Sequence, residues 1–248
     1  MRTSVGEALY REFAAYYDQI YSYKDTAKEI KFVVAAMKRH GVKGRDLLDV
    51  ACGTGRHAKL LVGMGYRVIG LDKHKEILRL ARRKAPRVTF KQGDMRSFRL
   101  PQRFDAILCM FTSINYNTSM KDLVRTLRGF RRHLKDGGII VFDGPIASKG
   151  RPTEALSGDV LDQNAAVLYI WKDHGRLTEG TLYWIVKGGA KRGTKDSHVL
   201  VDRHILRFYE LREISQALKA AGLAYDICWD FSLARKRGHR PVFVCWKA

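Results

Sequence analysis

A glycine turn followed by an acidic residue gives this sequence its clearest chemical pattern. An apolar run over residues 47–51 leads into Gly53-Thr54-Gly55, and a helix-like segment follows. Glycines at such a turn let the backbone take positive φ and let a ligand approach closely. Asp72 lies 19 residues beyond Gly53, where its carboxylate can accept hydrogen bonds from both hydroxyls of a ribose. The pattern predicts a nucleotide-like ligand over the turn, and a tight turn without a ligand is the plain alternative.

The spacing from Gly53 to Asp72 suits both NAD and S-adenosylmethionine, and three further features separate the two. Arg56 follows the turn without the third glycine of the dinucleotide fingerprint. A second acidic residue, Asp94, follows the third predicted strand and suits an adenine amino group. A glycine turn over residues 136–138 precedes another inner strand. Together these features favour S-adenosylmethionine.

Three polar side chains are candidates to act on the acceptor of a methyl group. Methyl transfer from a sulfonium is an in-line displacement from an activated donor, so the protein mainly supplies alignment and a dry site. An amine nucleophile must be neutral, and a nearby phenol, imidazole or carboxylate can orient it or accept its proton. The predicted catalytic residues are Tyr17, near the N-terminus, and Asn115 and Tyr116, after the fourth strand. Core packing for Tyr17 and a turn cap for Asn115 are the alternatives.

Repeated strand–helix units must position these residues. Apolar runs alternate with amphipathic segments up to residue 145. The predicted strands cover residues 47–51, 67–71, 88–92, 104–111 and 139–142. The predicted helices cover residues 57–64, 75–84 and 122–134. Such units with short connections imply an α/β fold, with a parallel sheet whose two faces are both covered by helices.

The two ends of the chain depart from this alternation. Residues 146–208 are predicted to form an antiparallel β insertion, and a helix over residues 210–221 and two closing strands follow it. Residues 1–43 are predicted to form an N-terminal helical cap, in which Asp25 begins a second helix that runs to about His40. The first part of the cap places apolar and aromatic residues at helical spacing, namely Tyr10, Phe13, Tyr17 and Ile20. Its tyrosines either pack in the core or form a lid over a ligand.

Five motifs along the chain carry a family resemblance. They are Asp49-Val-Ala-Cys-Gly-Thr-Gly, Gly70-Leu-Asp72, Gly93-Asp94-Met95, Phe104-Asp105-Ala-Ile-Leu-Cys-Met and Leu134-Lys-Asp-Gly-Gly. Together they resemble the class I S-adenosylmethionine-dependent methyltransferases. The resemblance implies a single methyltransferase domain over residues 1–248, with a Rossmann-like seven-stranded, mostly parallel sheet whose last strand is antiparallel. It also implies S-adenosylmethionine as the cofactor.

The same resemblance assigns cofactor contacts. It implies that Gly53, Gly55, Asp72, Asp94 and Met95 hold the cofactor. The predicted set is completed by neighbours of these residues and by tyrosines of the cap, namely Tyr17, Tyr21, Ala51, Thr54, His57, Lys73 and Met110. The eight histidines and four cysteines lack metal-ligand spacing, so no metal site is expected.

A narrower similarity concerns the acceptor side. Residues 17–25, residues 103–116 and the run Asp202-Arg-His-Ile-Leu-Arg-Phe are similar to the sugar N,N-dimethyltransferases, which dimethylate nucleotide-linked amino sugars. The similarity implies N-methylation of a small molecule such as an amino sugar or another amine. The chain departs from that family after the fifth strand. There Asp143-Gly144-Pro145-Ile146 stands in place of an acidic, tryptophan-rich segment.

The net charge supports a second hypothesis. Lysine and arginine number 46 against 25 aspartate and glutamate residues, for a formal charge of +21. Such an excess suits a polyanion, so an RNA or ribosomal-protein methyltransferase is the alternative, and a solvated basic surface is the plain interpretation. A cofactor-binding module without methyl transfer is a third hypothesis. No Pro-Pro-aromatic tetrad of base-amine methyltransferases follows the fourth strand.

The cysteines and the hydropathy of the chain give an expectation of its cellular compartment. The four cysteines lie in apolar runs, and we expect buried thiols in a reducing compartment. No secretory leader and no apolar run of membrane-spanning length is present, so a cytoplasmic protein without a membrane partner is expected. Exposed strand edges of the insertion invite pairing between subunits, which makes a homodimer through the insertion a further expectation.

Overall fold

A computed structural model describes residues 2–5, 8–144, 154–187, 197–234 and 236–248. In these ranges the chain forms twelve strands and six α-helices. The strands are β1 (Arg2–Val5), β2 (Asp46–Val50), β3 (Arg67–Asp72), β4 (Thr89–Gln92), β5 (Phe104–Cys109), β6 (Leu134–Asp143), β7 (Glu154–Val160), β8 (Ala165–His174), β9 (Leu177–Lys187), β10 (Ser197–Arg207), β11 (Leu223–Trp229) and β12 (Pro241–Lys247). The helices are α1 (Tyr17–Ile20), α2 (Thr26–Arg39), α3 (Arg56–Gly63), α4 (Lys75–Lys84), α5 (Met120–His133) and α6 (Leu211–Ala220).

The main sheet has seven strands in the order β11-β12-β6-β5-β2-β3-β4. Strand β2 pairs in parallel with both β3 and β5, and β5 pairs in parallel with β6. Strand β12 runs antiparallel to both of its neighbours, β6 and β11. This arrangement confirms the predicted seven-stranded, mostly parallel sheet of the Rossmann-like methyltransferase type.

Helices cover both faces of this sheet, as its strand sequences require. Successive strand residues point to opposite faces, and on β2 both Leu47 and Leu48 are fully buried. Leu47 packs in the core cluster that contains Ile30 of α2, and Leu48 packs in the cluster that contains Leu127 of α5. The two clusters hold the carboxyl ends of β2, β3 and β5 at one edge of the sheet.

A second, five-stranded sheet has the order β1-β10-β9-β8-β7. Strands β7 to β10 are antiparallel, as the insertion pattern predicts, and β1 pairs in parallel with β10. The N-terminal segment packs on this sheet, where the rings of Phe13 and Trp184 stack with centroids 3.9 Å apart. The predicted start of the insertion, at residue 146, lies outside the described residues.

Three local predictions differ from the structure. The first part of the N-terminal segment forms 3₁₀ turns over Ala8–Tyr10 and Ala14–Tyr16 and the short helix α1, because Leu9 donates its N–H to Asp202 of β10. Strands β1 and β7 are absent from the sequence prediction because both contain few apolar residues. They form strands because they pair with neighbouring strands, β1 with β10 and β7 with β8. The predicted glycine turn over residues 136–138 is instead part of β6, at the point where the pairing register with β5 shifts.

Helix α2 confirms the predicted second helix of the N-terminal segment. The Asp25 carboxylate accepts the Lys28 N–H at 2.8 Å and caps the first turn. Gly41, with φ of +69°, follows the helix C-terminus as expected.

Candidate active site

A pocket of about 540 Å³ lies where the carboxyl edge of the main sheet meets the second sheet. Its wall combines tyrosines of the N-terminal segment, residues at the ends of the parallel strands and side chains of the second sheet. These groups are Tyr10, Tyr17, Tyr21 and Tyr23; Ala51, Gly53, Asp72, Lys73, Asp94 and Met95; Trp171, Arg203 and His204. The size falls within the range of small-molecule sites, about 300–1,000 Å³.

The glycine turn after β2 forms the floor of the pocket. Gly53 and Gly55 have φ of +55° and +78°, and the second caps the N-terminus of α3. Gly53 lines the pocket, whereas Gly55 faces inward, where a Cβ would lie 2.8 Å from the Phe90 ring. The two glycines therefore serve different ends: Gly53 leaves room for a ligand, and Gly55 leaves room for the core.

This difference predicts that one alanine variant loses ligand affinity and the other loses stability. Gly53→Ala puts a methyl group in the pocket while its Cβ meets Tyr17 only at 3.7 Å, so we expect a folded protein with at least tenfold weaker binding of S-adenosylmethionine. Gly55→Ala adds a clash with Phe90 to a similar backbone strain, so we expect a loss of about 2–3 kcal/mol of stability. Thermal denaturation and calorimetry measure both, and equal ligand affinity for Gly53→Ala and the wild type would contradict the assignment.

Two carboxylates face the pocket from neighbouring strand ends. Asp72 is 8% exposed, and its two oxygens accept the N–H groups of Gly53 at 2.9 Å and His74 at 3.0 Å. Each oxygen keeps a second lone pair for a ligand hydroxyl. The hydrogen bonds from Arg96 lower the pKa of Asp94, which accepts Arg96 Nε at 2.9 Å and stays ionised. Asp72 can accept hydrogen bonds from a ribose diol and Asp94 from an exocyclic amine, so these two acceptors fit S-adenosylmethionine.

Aromatic rings close the pocket from the N-terminal side. Tyr17 and Tyr21 meet edge to face with centroids 4.8 Å apart, and Tyr21 meets Phe111 in the same way at 4.8 Å. Burial raises the pKa of Tyr10, Tyr17 and Tyr21 above the usual value for a phenol. These tyrosines are therefore neutral at physiological pH and can donate or accept hydrogen bonds without carrying charge.

A hydrogen-bonded chain leads from the pocket into the second sheet. Tyr10 and Tyr116 share a hydrogen bond of 2.7 Å between their hydroxyl oxygens, and the Tyr116 hydroxyl lies 2.9 Å from Nδ1 of His204. Nε2 of His204 lies 3.2 Å from the carboxylate of Asp202. Tyr10, Tyr116 and His204 all line the pocket, whereas Asp202 lies behind it.

The loop after β5 is held in an unusual conformation. Phe111 and Thr112 have φ of 59° and 58°, a region that non-glycine residues rarely occupy. Asp143, at the end of β6, accepts the Phe111 N–H at 2.6 Å and the Thr112 N–H at 3.4 Å. Arg240 donates its Nε to the same carboxylate at 2.6 Å. Asp143 thus fixes the part of the pocket wall that Phe111 and Thr112 form.

A buried ion cluster links the N-terminal segment to α3, the helix that follows the glycine turn. The Glu29 carboxylate, 4% exposed, accepts Nε2 of His57 at 2.7 Å and pairs with the Lys24 ammonium. Burial acts to raise the pKa of Glu29, but the bonds from His57 and Lys24 outweigh it and lower the pKa to about 2. The folded-state pKa is depressed, so this stabilisation is present above about pH 4.5 and is lost as the pH falls towards 2.

We therefore expect Glu29→Gln to lower the free energy of unfolding at pH 7 by about 3 kcal/mol, because the variant leaves the Lys24 charge buried without its partner. The matched control is Glu154→Gln, which breaks an exposed pair with Lys172 and should cost less than about 1 kcal/mol. Denaturant titration at pH 7 and pH 3 measures the effect. Equal losses for the two variants at pH 7 would refute the role of the cluster.

Five residues of the predicted site do not line the pocket. Thr54 donates its hydroxyl to Asp18 at 2.5 Å, Gly55 faces the core and His57 is bound to Glu29. Met110 is buried in the core, and Asn115 donates Nδ2 to the Arg207 carbonyl at 2.6 Å. These contacts point to positioning roles behind the wall. The predicted catalytic role of Asn115 is thus not favoured by its location.

Sequence reasoning missed Tyr10, His74 and His204 as pocket residues. A signal existed for His204: Asp202 and His204 are two residues apart on one strand, so they share a face. Tyr10 had no local signal, because its approach depends on how the N-terminal turn docks on β10. His74 stacks on the Tyr10 ring with centroids 5.0 Å apart.

Comparison with known proteins shows to which methyltransferases the chain is similar. A family model described as a methyltransferase domain matches residues 47–138. The chain is 31% identical over 220 residues to dTDP-3-amino-3,6-dideoxy-alpha-D-glucopyranose N,N-dimethyltransferase of Streptomyces fradiae. This match covers 87% of this chain and 85% of the relative. It is 35% identical over 229 residues to dTDP-4-amino-2,3,4,6-tetradeoxy-D-glucose N,N-dimethyltransferase of Saccharopolyspora spinosa, over 86% of this chain and 85% of the relative.

Solved structures show the same likeness. DesVI of Streptomyces venezuelae superposes with a TM-score of 0.76 at 27% identity, over 95% of this chain and 98% of that chain. The sugar N-methyltransferase KedS8 of a Streptoalloteichus species gives a TM-score of 0.78 at 26% identity, over 93% of this chain and 92% of the other. The fold and site define an S-adenosylmethionine-dependent methyltransferase. Within this class, the chain belongs to the family that includes the sugar N,N-dimethyltransferases.

Other expectations concern cysteines, metals and membranes. Cys52, Cys109, Cys228 and Cys245 are all buried free thiols, as predicted. In the part of the chain that the structure describes, no group of three or more histidine, cysteine or acidic side chains is arranged to hold a metal ion. Among the same residues, no helix has the length and apolar character needed to span a membrane.

Proposed function

We propose that this enzyme transfers the methyl group of S-adenosylmethionine to the nitrogen of a small-molecule amine, with nucleotide-linked amino sugars as the leading acceptor class. The observation that carries the proposal is one pocket in which carboxylates suited to the cofactor and hydroxyl and imidazole groups suited to an amine share a wall. The names of the Streptomyces and Saccharopolyspora relatives support the acceptor class.

The cofactor half rests on the strand ends. Asp72 would accept the ribose hydroxyls and Asp94 the adenine amino group, while Gly53 allows close approach. The remaining proposed contacts are the lining residues Tyr17, Tyr21, Ala51, Lys73 and Met95. Thr54, Gly55, His57 and Met110 would support these contacts from behind the wall.

The acceptor half rests on hydroxyl, imidazole and basic side chains of the same pocket. The cofactor, when bound, supplies a methyl group that its sulfonium already activates for displacement. The protein's own residues orient the amine and exclude water, and Tyr17 and Tyr116 are the proposed groups at the acceptor. Arg203 and Lys73 also line the pocket, and their charges suit the phosphates of a nucleotide-linked sugar.

The pocket draws on three parts of the chain, which we propose form a single domain over residues 1–248. These parts are an N-terminal cap over residues 1–43, the main sheet and the β insertion over residues 146–208. Tyr21, Asp72 and His204 supply one pocket residue from each part, which supports a common unit.

We further propose that two copies pair through the second sheet. Every residue of the edge strand β7 is exposed, and Leu156 and Val160 are 70% and 83% exposed. Among the described residues, no strand pairs with the outer side of β7, and an open edge with exposed apolar side chains favours pairing with another strand. Sedimentation velocity tests this pairing, and a monomer at all protein concentrations would exclude it.

Turnover of S-adenosylmethionine across a panel of acceptors tests the proposed function. The panel holds dTDP-linked 3-amino and 4-amino sugars, the free amino sugars, the corresponding hydroxyl sugars and ribosomal RNA. We expect turnover with amino sugars and none with their hydroxyl counterparts. Methylation of RNA alone would overturn the proposal and favour a nucleic-acid role for the +21 charge.

A further inference from the structure

Four hydrogen-bonded polar side chains, three on the pocket wall and one behind it, form a path along which a proton can pass. The path starts at Tyr10 and Tyr116 on the pocket wall, continues through His204 and ends at Asp202. The His204 and Asp202 side chains are 3% and 0% exposed, so bulk water has little access to the inner end. Tyr10 is further positioned by stacking on His74.

The direction of these hydrogen bonds follows from Asp202. Burial acts to raise the pKa of Asp202, but the hydrogen bonds from His204 and from the backbone of Leu9 and Ala8 outweigh it and lower the pKa. An ionised carboxylate only accepts, so Nε2 of His204 carries a proton, and in the neutral imidazole Nδ1 is then the acceptor. The Tyr116 hydroxyl donates to Nδ1 and accepts from Tyr10. The Tyr10 oxygen keeps a lone pair to accept a further proton.

We propose that Tyr10, Tyr116 and His204, with Asp202, form a relay that takes the proton which the acceptor amine loses during methyl transfer. The inference rests on the proposed N-methylation. As the nitrogen–carbon bond forms and the carbon–sulfur bond breaks, the amine proton passes to the Tyr10 oxygen. The Tyr10 proton passes to Tyr116, and the Tyr116 proton passes to Nδ1 of His204. The methylated amine is neutral, the donor becomes a thioether and the positive charge resides on His204 beside Asp202.

The relay explains why phenols can act here although they do not ionise. Burial raises the pKa of Tyr10 and Tyr116, so neither is a phenolate at neutral pH. A neutral phenol accepts a proton only if it passes its own proton onward, and His204 provides that acceptor. A dimethylation needs this step twice, because the monomethylated nitrogen must be neutral before it attacks again. The proton on His204 returns to solvent between turnovers.

The test compares His204→Gln and Tyr116→Phe with the wild type, using dTDP-3-amino-3,6-dideoxyglucose as acceptor or, if it is not turned over, the best amine of the panel. Glutamine can still hydrogen-bond but cannot accept a proton, so we expect kcat to fall about 100-fold. The KM for S-adenosylmethionine should change by less than about twofold. Because both residues act in one path, the double variant should be no slower than the slower single variant. The matched control is His174→Gln, an exposed histidine of β8, with unchanged kcat.

The pH profile separates a relay from a packing role. The titratable groups facing His204 are Asp202 on its own strand, Tyr116 after β5 and Tyr10 on the N-terminal turn. Protonation of His204 removes the proton acceptor, so kcat of the wild type should fall on the acidic side. Because the amine must also be neutral, its own protonation lowers kcat in both enzymes, and His204→Gln should lose only the part of the acidic fall that comes from His204. A packing role would lower kcat without changing its pH dependence.

Two outcomes overturn the relay. One is a folded His204→Gln variant with kcat within twofold of the wild type. The other is additive losses in the double variant with an unchanged pH profile. If His204→Gln does not fold, Tyr10→Phe and Tyr116→Phe, which each remove one oxygen, are combined in its place. Their double variant then tests in the same way whether the two residues act in one path. If the wild type methylates no amine, the proposed function fails; if it does and the variants match it, only the relay fails.

Discussion

Asp72→Ala is expected to weaken the binding of S-adenosylmethionine by a factor of about 100 to 10,000 and to leave the chain folded. The carboxylate would accept two ribose hydroxyls, and hydrogen bonds to a charged group contribute about 1.5–3 kcal/mol each. The substitution also removes the acceptor of the Gly53 and His74 N–H groups. Both groups belong to pocket-lining residues, so water can replace the lost carboxylate. Isothermal titration calorimetry measures the affinity, and circular dichroism measures the fold.

Asp46→Ala is the matched control for this experiment. Asp46 begins β2 at the opposite edge of the same sheet, where it binds Arg67 and Lys135. The control removes an equal charge from the same sheet and should leave the affinity for S-adenosylmethionine unchanged. A folded Asp72→Ala variant that binds as tightly as the wild type would exclude Asp72 from the cofactor site.

Asp143→Ala is expected to lower the free energy of unfolding by about 4 kcal/mol and to abolish most activity. The fully buried carboxylate accepts the N–H groups of Phe111 and Thr112 and also binds Arg240. The loss of these bonds leaves the partly buried N–H groups of Phe111 and Thr112 without their acceptor, which lowers stability. It also lets both residues leave their strained backbone conformation, which changes the shape of the pocket wall. Because Phe111 and Thr112 form part of the pocket wall, turnover should fall even under conditions where the variant is folded.

Asp136→Ala provides the comparison on the same strand. Asp136 is 89% exposed and pairs with Lys247, so its loss should cost less than about 1 kcal/mol and leave kcat unchanged. Urea titration gives the stabilities of both variants, and turnover of the chosen amine gives their activities. If Asp143→Ala and Asp136→Ala lose equal stability, the carboxylate does not hold the loop after β5.

The cofactor side of the pocket was predictable because it depends on local sequence. Gly53, Asp72 and Asp94 each follow a strand of a parallel sheet, and parallel strands bring their carboxyl ends to one edge. Strand lengths and helix lengths therefore determine where these residues lie. The seven-stranded, mostly parallel sheet and its antiparallel last strand, β12, followed from the family resemblance.

The acceptor side depends on contacts that are remote in sequence. Tyr10 reaches Tyr116 only because the N-terminal turn docks on β10 through the bond from Leu9 to Asp202. Asn115 and Tyr116 are neighbours on a 3₁₀ turn, where successive side chains point about 120° apart, so only Tyr116 faces the pocket. The left-handed backbone at Phe111 could not be predicted either, since no glycine marks it.

Transfer of a ¹³C-labelled methyl group from S-adenosylmethionine to dTDP-linked amino sugars, followed by NMR of the product, tests the central claim most directly. We expect the label to appear in an N-methyl group on the sugar. We expect the corresponding hydroxyl sugar to stay unlabelled under the same conditions. Label on an oxygen or carbon atom, or label found only in RNA while every amine of the panel stays unlabelled, would contradict the account.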